Sequence, residues 1–494
     1  MVSSRAVDDP VHALYQRRAY PAMSHPSADP AVTAVAARLG GLDVANPARA
    51  SVLEIGCAAG HNLLPLAARW PDSRFTGIDF SKPAILEARE TARFAGLSHV
   101  EFIETDLSTF DPGDEMDYDF IIVHGVYSWV PEEVRHALLK FCATRLSAAG
   151  CVVISYNTLP GWSLRKTLVE LTSAIAASPA VEAIGNSPEE ILGYLATATG
   201  NRTPYARHLT AVLHDLFGKG HEILPFDDFS PINEPCTFQQ FTHRAKQHGL
   251  HYLGESQLTD NFPSSLAPEA ACLLKPFAGD PFVLQQMIDV LTNRTFRSAL
   301  LCRSDAVLVE KISASTTLRF SVGMPHEVEH EADQVCIVSR GGEVLARFDK
   351  PLAIAFFSAL SKSKPHSRPA QELFSQMGNP EEDEPELARL IIDSAEKGLV
   401  LLHDGIPPFD SEIPDFPDLG LLRLMAVRKA QALVDVYHAP HRLEEGQRQI
   451  AALMDGSRSI AELEALAKSI LPHLDFPSWM GQLAARGMFE ESIG

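Results

Sequence analysis

The stretch Ser51–Asn62, SVLEIGCAAGHN, restricts the fold of this chain more than any other. A short apolar run, Val52, Leu53 and Ile55, carries one acid, Glu54, and ends among small residues, Gly56, Cys57, Ala58, Ala59 and Gly60. A helical pattern, Leu63 to Trp70, follows. A buried strand that turns sharply into a helix through residues without bulk lets backbone N–H groups approach a ligand closely. Many α/β proteins share such a turn, so the later acids decide the reading. Ser73–Asp79, SRFTGID, is a second predicted strand ending in a carboxylate roughly 25 positions after Glu54, the place from which ribose hydroxyls are held in a βαβ nucleoside site. His99–Ile103 is a third strand with Asp106 just beyond it; Asp119–His124 and Cys151–Asn157 are the fourth and fifth. Apolar strands alternating with helical patterns give an α/β, doubly wound, Rossmann-like parallel sheet.

With these residues in view, the pattern ExGxxxG, then GID, then TDL resembles the class I S-adenosylmethionine-dependent methyltransferases. A dinucleotide site would want G-x-G-x-x-G, which Gly56–Gly60 does not supply. HGVYSWVP (His124–Pro131) and SYNTLPGW (Ser155–Trp162) are similar, more narrowly, to the methyltransferases that carry a methyltransferase regulatory domain. That group includes the rickettsial outer-membrane-protein lysine methyltransferases. Alanine at position 58 departs from the glycine common in the family, and the specific motifs cover about the first 165 residues.

The resemblance implies S-adenosyl-L-methionine as cofactor and assigns roles to single residues. Gly56 and Gly60 let the first loop approach the methionine part, and Glu54 orders it. Asp79 accepts the ribose hydroxyls, Phe80 packs on adenine, Asp106 accepts the adenine amino group and Leu107 offers its backbone. His124 sits near the methionine part; Cys57, Ala58, Asn62 and Ser81 complete the expected cofactor set. Aromatic residues follow strands four and five: Tyr127 and Trp129, then Tyr156 and Trp162. Rings with negative faces hold cations such as a sulfonium or an ammonium. Tyr127 is the candidate for orienting an acceptor amine, with Trp129, Asn157, Tyr15 and Tyr20 as further members of the acceptor pocket. No metal ligand set is expected.

Charge and composition narrow the partners. The 494 residues carry a formal charge of −21, which disfavours nucleic acid and favours a basic protein or polyamine. No apolar run approaches the roughly 20 residues that span a bilayer, so membrane insertion is not expected. The first twenty residues show no apolar signal-peptide core, and seven cysteines without CxxC pairing suit a reducing, cytoplasmic setting.

Beyond Trp162 the alternation breaks. Residues 163–235 form a predicted helical insertion, after which helix Thr237–Gly249, strand Leu250–Leu258 and strand Arg297–Arg303 complete the sheet, closing a first domain at 1–305. A winged-helix-like middle or regulatory domain (306–410) begins with a hairpin around Gly341-Gly342, and a similar C-terminal unit (411–494) follows a proline-rich linker, 404–420. Its helices are expected at Gly446–Met454, Ile460–Ser469 and Phe476–Arg486, and both units are expected to end in glycine and a strand. The insertion or these units could supply a homodimer contact. His326-Glu327-Val328-Glu329-His330 matches HExxH, but Met324-Pro325 before it and the missing third ligand argue for a polar loop.

The expected function is methyl transfer to a protein side-chain nitrogen, lysine first. N- or O-methylation of a small molecule is the alternative within enzymes, and a cofactor-binding regulatory protein without turnover is the alternative outside them.

Overall fold

In the computed structural model the described residues are 10–490, except 18–19, 22, 112, 114–116, 179–186, 219–222, 263–265, 267, 278, 311, 379–382, 407–408 and 431. Seven strands make the central sheet: β1 (Ser51–Ile55), β2 (Arg74–Asp79), β3 (Val100–Glu104), β4 (Tyr118–Val123), β5 (Leu146–Asn157), β6 (Leu250–Glu255) and β7 (Phe296–Arg303). Their order is β3-β2-β1-β4-β5-β7-β6. All pairings are parallel except those of β7, which runs antiparallel to both neighbours. The order reverses between β1 and β4, which opens a crevice beyond their carboxyl ends.

Alternate strand residues face opposite layers, as the pleat requires. Val52, Phe120, Val153 and Leu300 pack toward helices Pro30–Leu39, Leu63–Arg69 and Lys82–Phe94. Leu53, Ile121, Val152 and Leu301 pack toward helices Glu132–Arg145 and Phe238–Gln247. Burying each such side chain contributes about 1.5–3 kcal/mol, so both strand faces anchor the crevice. Thr237 caps the second of these helices in a reciprocal pair with Gln240.

The insertion is three helices, Trp162–Ala176, Pro188–Ala198 and Pro204–Gly218, around a small core of Leu168, Leu192, Leu213, Leu216 and Leu224. Its far end is tied back by Arg165, which pairs with buried Asp228 and with Asp215.

Past β7, β9 (Glu327–Glu331), β10 (Gln334–Val338) and β11 (Val344–Phe348) form one antiparallel sheet, and β8 (Ser321–Gly323), β12 (Arg368–Pro369) and β13 (Leu401–His403) form another. Helices Pro351–Lys362, Ala370–Met377 and Glu384–Glu396 close this α+β unit over Phe320, Val322, Phe356 and Ile391. The last unit combines a hairpin, β14 (Ala432–Val434) and β15 (Pro440–Arg442), with helices Leu421–Val427, Glu445–Ala451, Ile460–Ile470 and Phe476–Ala484. Of the acidic run at 379–386, residues 379–382 lie outside the described residues, and Glu384 opens a helix.

Three expectations change. Four of the five HExxH residues are no loop: Glu327–Glu331 is strand β9, paired along its length with β10, and His326 stands just before it with its Nε2 3.0 Å from Gly398 O. The helical face on which HExxH sets two imidazoles side by side is therefore absent, since His330 lies in a strand. The described residues at the start of the stretch 404–420 pack between the units: Asp404 meets the first domain and Phe409 the middle and last units. Asp404 takes Arg38 Nε at 2.8 Å and gives its N–H to Ala31 O, and Phe409 packs against His366 and Tyr437. The closing strand of the middle unit, β13, has no counterpart among the described residues after helix Phe476–Ala484; strands β14 and β15 precede that unit's last three helices instead. No helix among the described residues is long and apolar enough to cross a membrane.

Candidate active site

The turn after β1 is held by its neighbour strand: Gly56 and Cys57 both give their N–H to Ile78 O, at 2.8 and 3.1 Å. Gly56 (φ 78°) leaves no room for a side chain, since a Cβ there would stand 2.5 Å from Val126 Cγ2. Ala58 adopts the same left-handed region (φ 46°), where an L-residue is strained. Its N–H is held by Asp79 Oδ2 at 2.9 Å, which keeps the turn in that shape. Ala58→Gly should therefore raise stability by about 1 kcal/mol, seen as a few degrees in Tm; a lower Tm would show that the methyl group packs usefully here.

Two acids tip the crevice. Glu54, at the end of β1, is buried; its Oε1 accepts Asn62 Nδ2 at 2.8 Å, while its Oε2 has no partner among the described residues. Burial pushes its carboxyl up to about 8, against the Asn62 hydrogen bond, with the Asp79 charge adding to the rise. Asp79, at the end of β2, accepts Ser81 N–H on Oδ1 (2.7 Å) and Ala58 N–H on Oδ2. Burial raises its carboxyl too, although those backbone bonds pull it down. Asp106 Oδ1 takes the Ser108 N–H and hydroxyl at 2.8 and 2.6 Å, which braces the loop after β3.

The imidazoles of the crevice are neutral. His25 stacks on His124 with centroids 3.6 Å apart, and burial pushes His25 down to about 4. Burial, then His25, lowers His124, and burial takes His61 to about 4. No imidazole there opposes a cation.

Beyond the acids the wall is aromatic. Tyr15 lies 5.5 Å from Phe80 and 5.1 Å from Phe226; Tyr20 lies 5.3 Å from Phe226. Trp129 gives its indole N–H to Asp227 O at 3.2 Å. Burial, followed by the charge of Asp227, raises Tyr20, and burial with Asp79 and Asp227 raises Tyr15, so both phenols keep their protons.

Of the expected residues, Glu54, Gly56, Cys57, Ala58, Asn62, Asp79, Phe80, Asp106, Leu107, His124, Tyr15, Tyr20 and Trp129 line one crevice. Tyr127, Asn157, Gly60 and Ser81 do not. Tyr127 is buried behind the wall, edge-on to Phe241 and Tyr156. Asn157 gives its amide to Asn233 Oδ1 and its N–H is taken by Ser128 Oγ. Ser81 acts on Asp79, and Gly60 (φ 77°) lies against Phe102. Sequence reasoning missed Met23, His25, His61, Thr105 and Val134 of the lining, and Phe226 of the aromatic wall.

The reversal point, the two acids at strand ends and the mixed seven-stranded sheet agree with the resemblance to S-adenosylmethionine-dependent methyltransferases. The orphaned Glu54 oxygen and the turn of small residues fit a ligand with a cationic amino-acid end, and Asp79 fits ribose hydroxyls. Known proteins bear the class out: residues 52–150 match a methyltransferase domain and residues 213–303 a predicted methyltransferase regulatory domain. The second match covers the end of the insertion, β6 and β7, and so lies upstream of the 306–410 unit that the sequence suggests as regulatory.

An uncharacterized protein of Rickettsia prowazekii is 31% identical over 313 residues, 63% of this chain and 56% of that protein. One of Synechocystis is 27% identical over 277 residues, 55% of this chain and 54% of that protein. The chain thus matches just over half the length of each. Among solved structures, PKMT2 from Rickettsia typhi in complex with AdoHcy superposes with a TM-score of 0.80 at 22% identity, covering 95% of this chain and 99% of that one. The whole architecture, C-terminal units included, is that fold.

Proposed function

We propose that the chain transfers methyl from S-adenosyl-L-methionine to a protein side-chain nitrogen, lysine first. The observation that carries the reading is the crevice in which buried Glu54, its Oε2 without a partner among the described residues, and Asp79 open directly onto an aromatic wall. Glu54 and the Gly56–Ala58 turn would hold the amino-acid end of the donor, Asp79 the ribose, and Phe80 with Leu107 the adenine. The bound donor supplies an electrophilic methyl group for in-line displacement. The chain's own part is to orient the acceptor and keep water out.

Tyr15, Tyr20 and Phe80 line the crevice, with Phe226 packed against both tyrosines, and the negative face of such a ring suits a cation. The two protonated phenols orient an amine but do not deprotonate it. Lysine, with a solution pKa near 10.4, would then shed its proton before attack. The net charge of −21 favours a basic protein substrate, and PKMT2 is similar in fold over nearly the whole chain. Seven unpaired cysteines, six of them buried, suit a reducing, cytoplasmic setting.

Methyl-labelled donor, incubated with the protein, a protein lysate and a metabolite extract, tests this. Label on protein lysines is the expected result. Label confined to small molecules would refute the protein substrate, and none anywhere would leave a cofactor-binding regulator. Within the reading, Tyr20→Ala should cut kcat roughly tenfold with S-adenosylhomocysteine affinity held within about threefold. Equal losses in both would move Tyr20 to the donor.

A further inference from the structure

We infer that the C-terminal unit completes the donor site: His438, on the turn between β14 and β15, is a positioning residue that sets Asn62, and through it Glu54. The inference rests on the donor reading above. Asn62 sits at the start of helix Leu63–Arg69 and lines the crevice. Its Nδ2 donates to Glu54 Oε1, so its Oδ1 is an acceptor, and it receives two donors there. One is the backbone N–H of His25, at 2.9 Å. The other is His438 Nε2, at 2.8 Å, from 376 residues downstream.

That assignment places the His438 proton on Nε2. Burial keeps the imidazole neutral, so it acts as a fixed donor. Two donors on one oxygen fix the amide's orientation, which in turn aims the Glu54 carboxyl.

The turn carrying His438 is built for that contact. His438 is buried and takes a left-handed backbone (φ 61°), an unfavourable state for a residue other than glycine. Asp435 Oδ1 receives the N–H groups of Tyr437 and Ala439 at 2.9 and 2.8 Å, which bends the chain into this shape. Arg69 Nη1 then clamps Val436 O at 2.7 Å to the far end of the helix that Asn62 begins. Tyr437 Oη receives Ser367 N–H and donates to Pro365 O, at 3.1 and 3.0 Å, so the middle unit holds the turn as well. The last unit is therefore joined to the donor crevice by polar contacts that stop at Glu54. A group that orients a binding residue from behind commonly changes affinity without touching the ligand.

The test uses the full chain and S-adenosylhomocysteine, with affinity read by calorimetry and folding by thermal melting. His438→Leu should weaken binding roughly five- to tenfold by leaving the Asn62 oxygen short of a donor. His438→Gln, whose amide N–H stands where Nε2 stands, should recover affinity to within about twofold. His438→Asn suits the left-handed backbone best but falls short of Asn62, so it should show the leucine loss in a well-folded chain. In an Asn62→Ala background, His438→Leu should add nothing. Equal losses in the glutamine and leucine variants would reduce His438 to packing and overturn the proposal. Unchanged affinity in the leucine and asparagine variants would do the same, as would a leucine loss that persists without Asn62. An unmodified chain that does not bind S-adenosylhomocysteine would overturn the donor reading itself, and this inference with it.

Discussion

Asp79→Ala is expected to lower affinity for S-adenosylhomocysteine by one to two orders of magnitude. The carboxylate stands at the end of β2, buried, with one backbone N–H on each oxygen and a lone pair on each left over for ribose hydroxyls. Charge-assisted hydrogen bonds of this kind contribute about 1.5–3 kcal/mol. The alanine variant also releases Ala58, whose strained turn depends on Asp79 Oδ2. Asp79→Asn separates the two effects, because it keeps one oxygen for a backbone donor while removing the charge. It should lose roughly tenfold in affinity with a smaller drop in Tm than the alanine variant. Calorimetry decides: affinity within threefold of the unmodified chain in both variants would mean that Asp79 builds the turn and holds no ligand.

What the chain shows in its sequence follows from how local each signal is. β1 to β5 were legible because each is a short apolar run between helical patterns. The last two strands were legible because a capped helix from Thr237 leads through Gly249 into Leu250. Acids at strand ends were legible for the same reason: their spacing is set by the βαβ repeat. Tyr127 was misplaced because strand-end proximity does not fix direction. Tyr127–Trp129 is a single tight helical turn in which the first residue faces Phe241 and the third faces the crevice. His25, Phe226 and His438 had no local signal at all, since tertiary packing alone brings each to the site. The HExxH match misled as a loop because its apolar alternation is too sparse to read, Val328 being the only apolar residue in β9.

The units past β7 are joined to the first domain by shared cores. Helix Pro30–Leu39 turns Ala34 and Ala37 to the sheet and Val35 to the middle unit, while Leu421, Met425 and Val434 of the last unit enter the sheet's own core. Arg428 adds a bond to Glu90 Oε2 at 2.6 Å. Donor-site residues thus rest on packing supplied by both ends of the chain. Substitutions in that packing should change donor affinity and stability together, whereas Glu54 offers a readout that packing does not move.

Donor affinity is expected to rise about tenfold per pH unit up to pH 8, and then level off. Without ligand, burial keeps the Glu54 carboxyl protonated up to about 8. A cationic amino-acid end favours the ionised form, so binding below that pH must expel a proton. The sign is fixed by linkage: the free protein holds the proton more tightly than the complex, so acid opposes binding and base favours it until the proton is already gone. The same shift makes the unliganded chain lose stability as pH climbs from the ordinary glutamate range toward 8, because the unfolded chain has already released that proton. Ligand should flatten the decline. Calorimetry in two buffers of different ionisation enthalpy reads the protons directly: close to one released at pH 6.5, close to none from Glu54 at pH 9. Glu54→Gln should abolish the pH dependence and hold affinity at a low, constant value. If proton release at pH 6.5 were absent, or survived in Glu54→Gln, the cationic end of the ligand would have to lie against some other group, and Glu54 would be left as a brace for Asn62 alone.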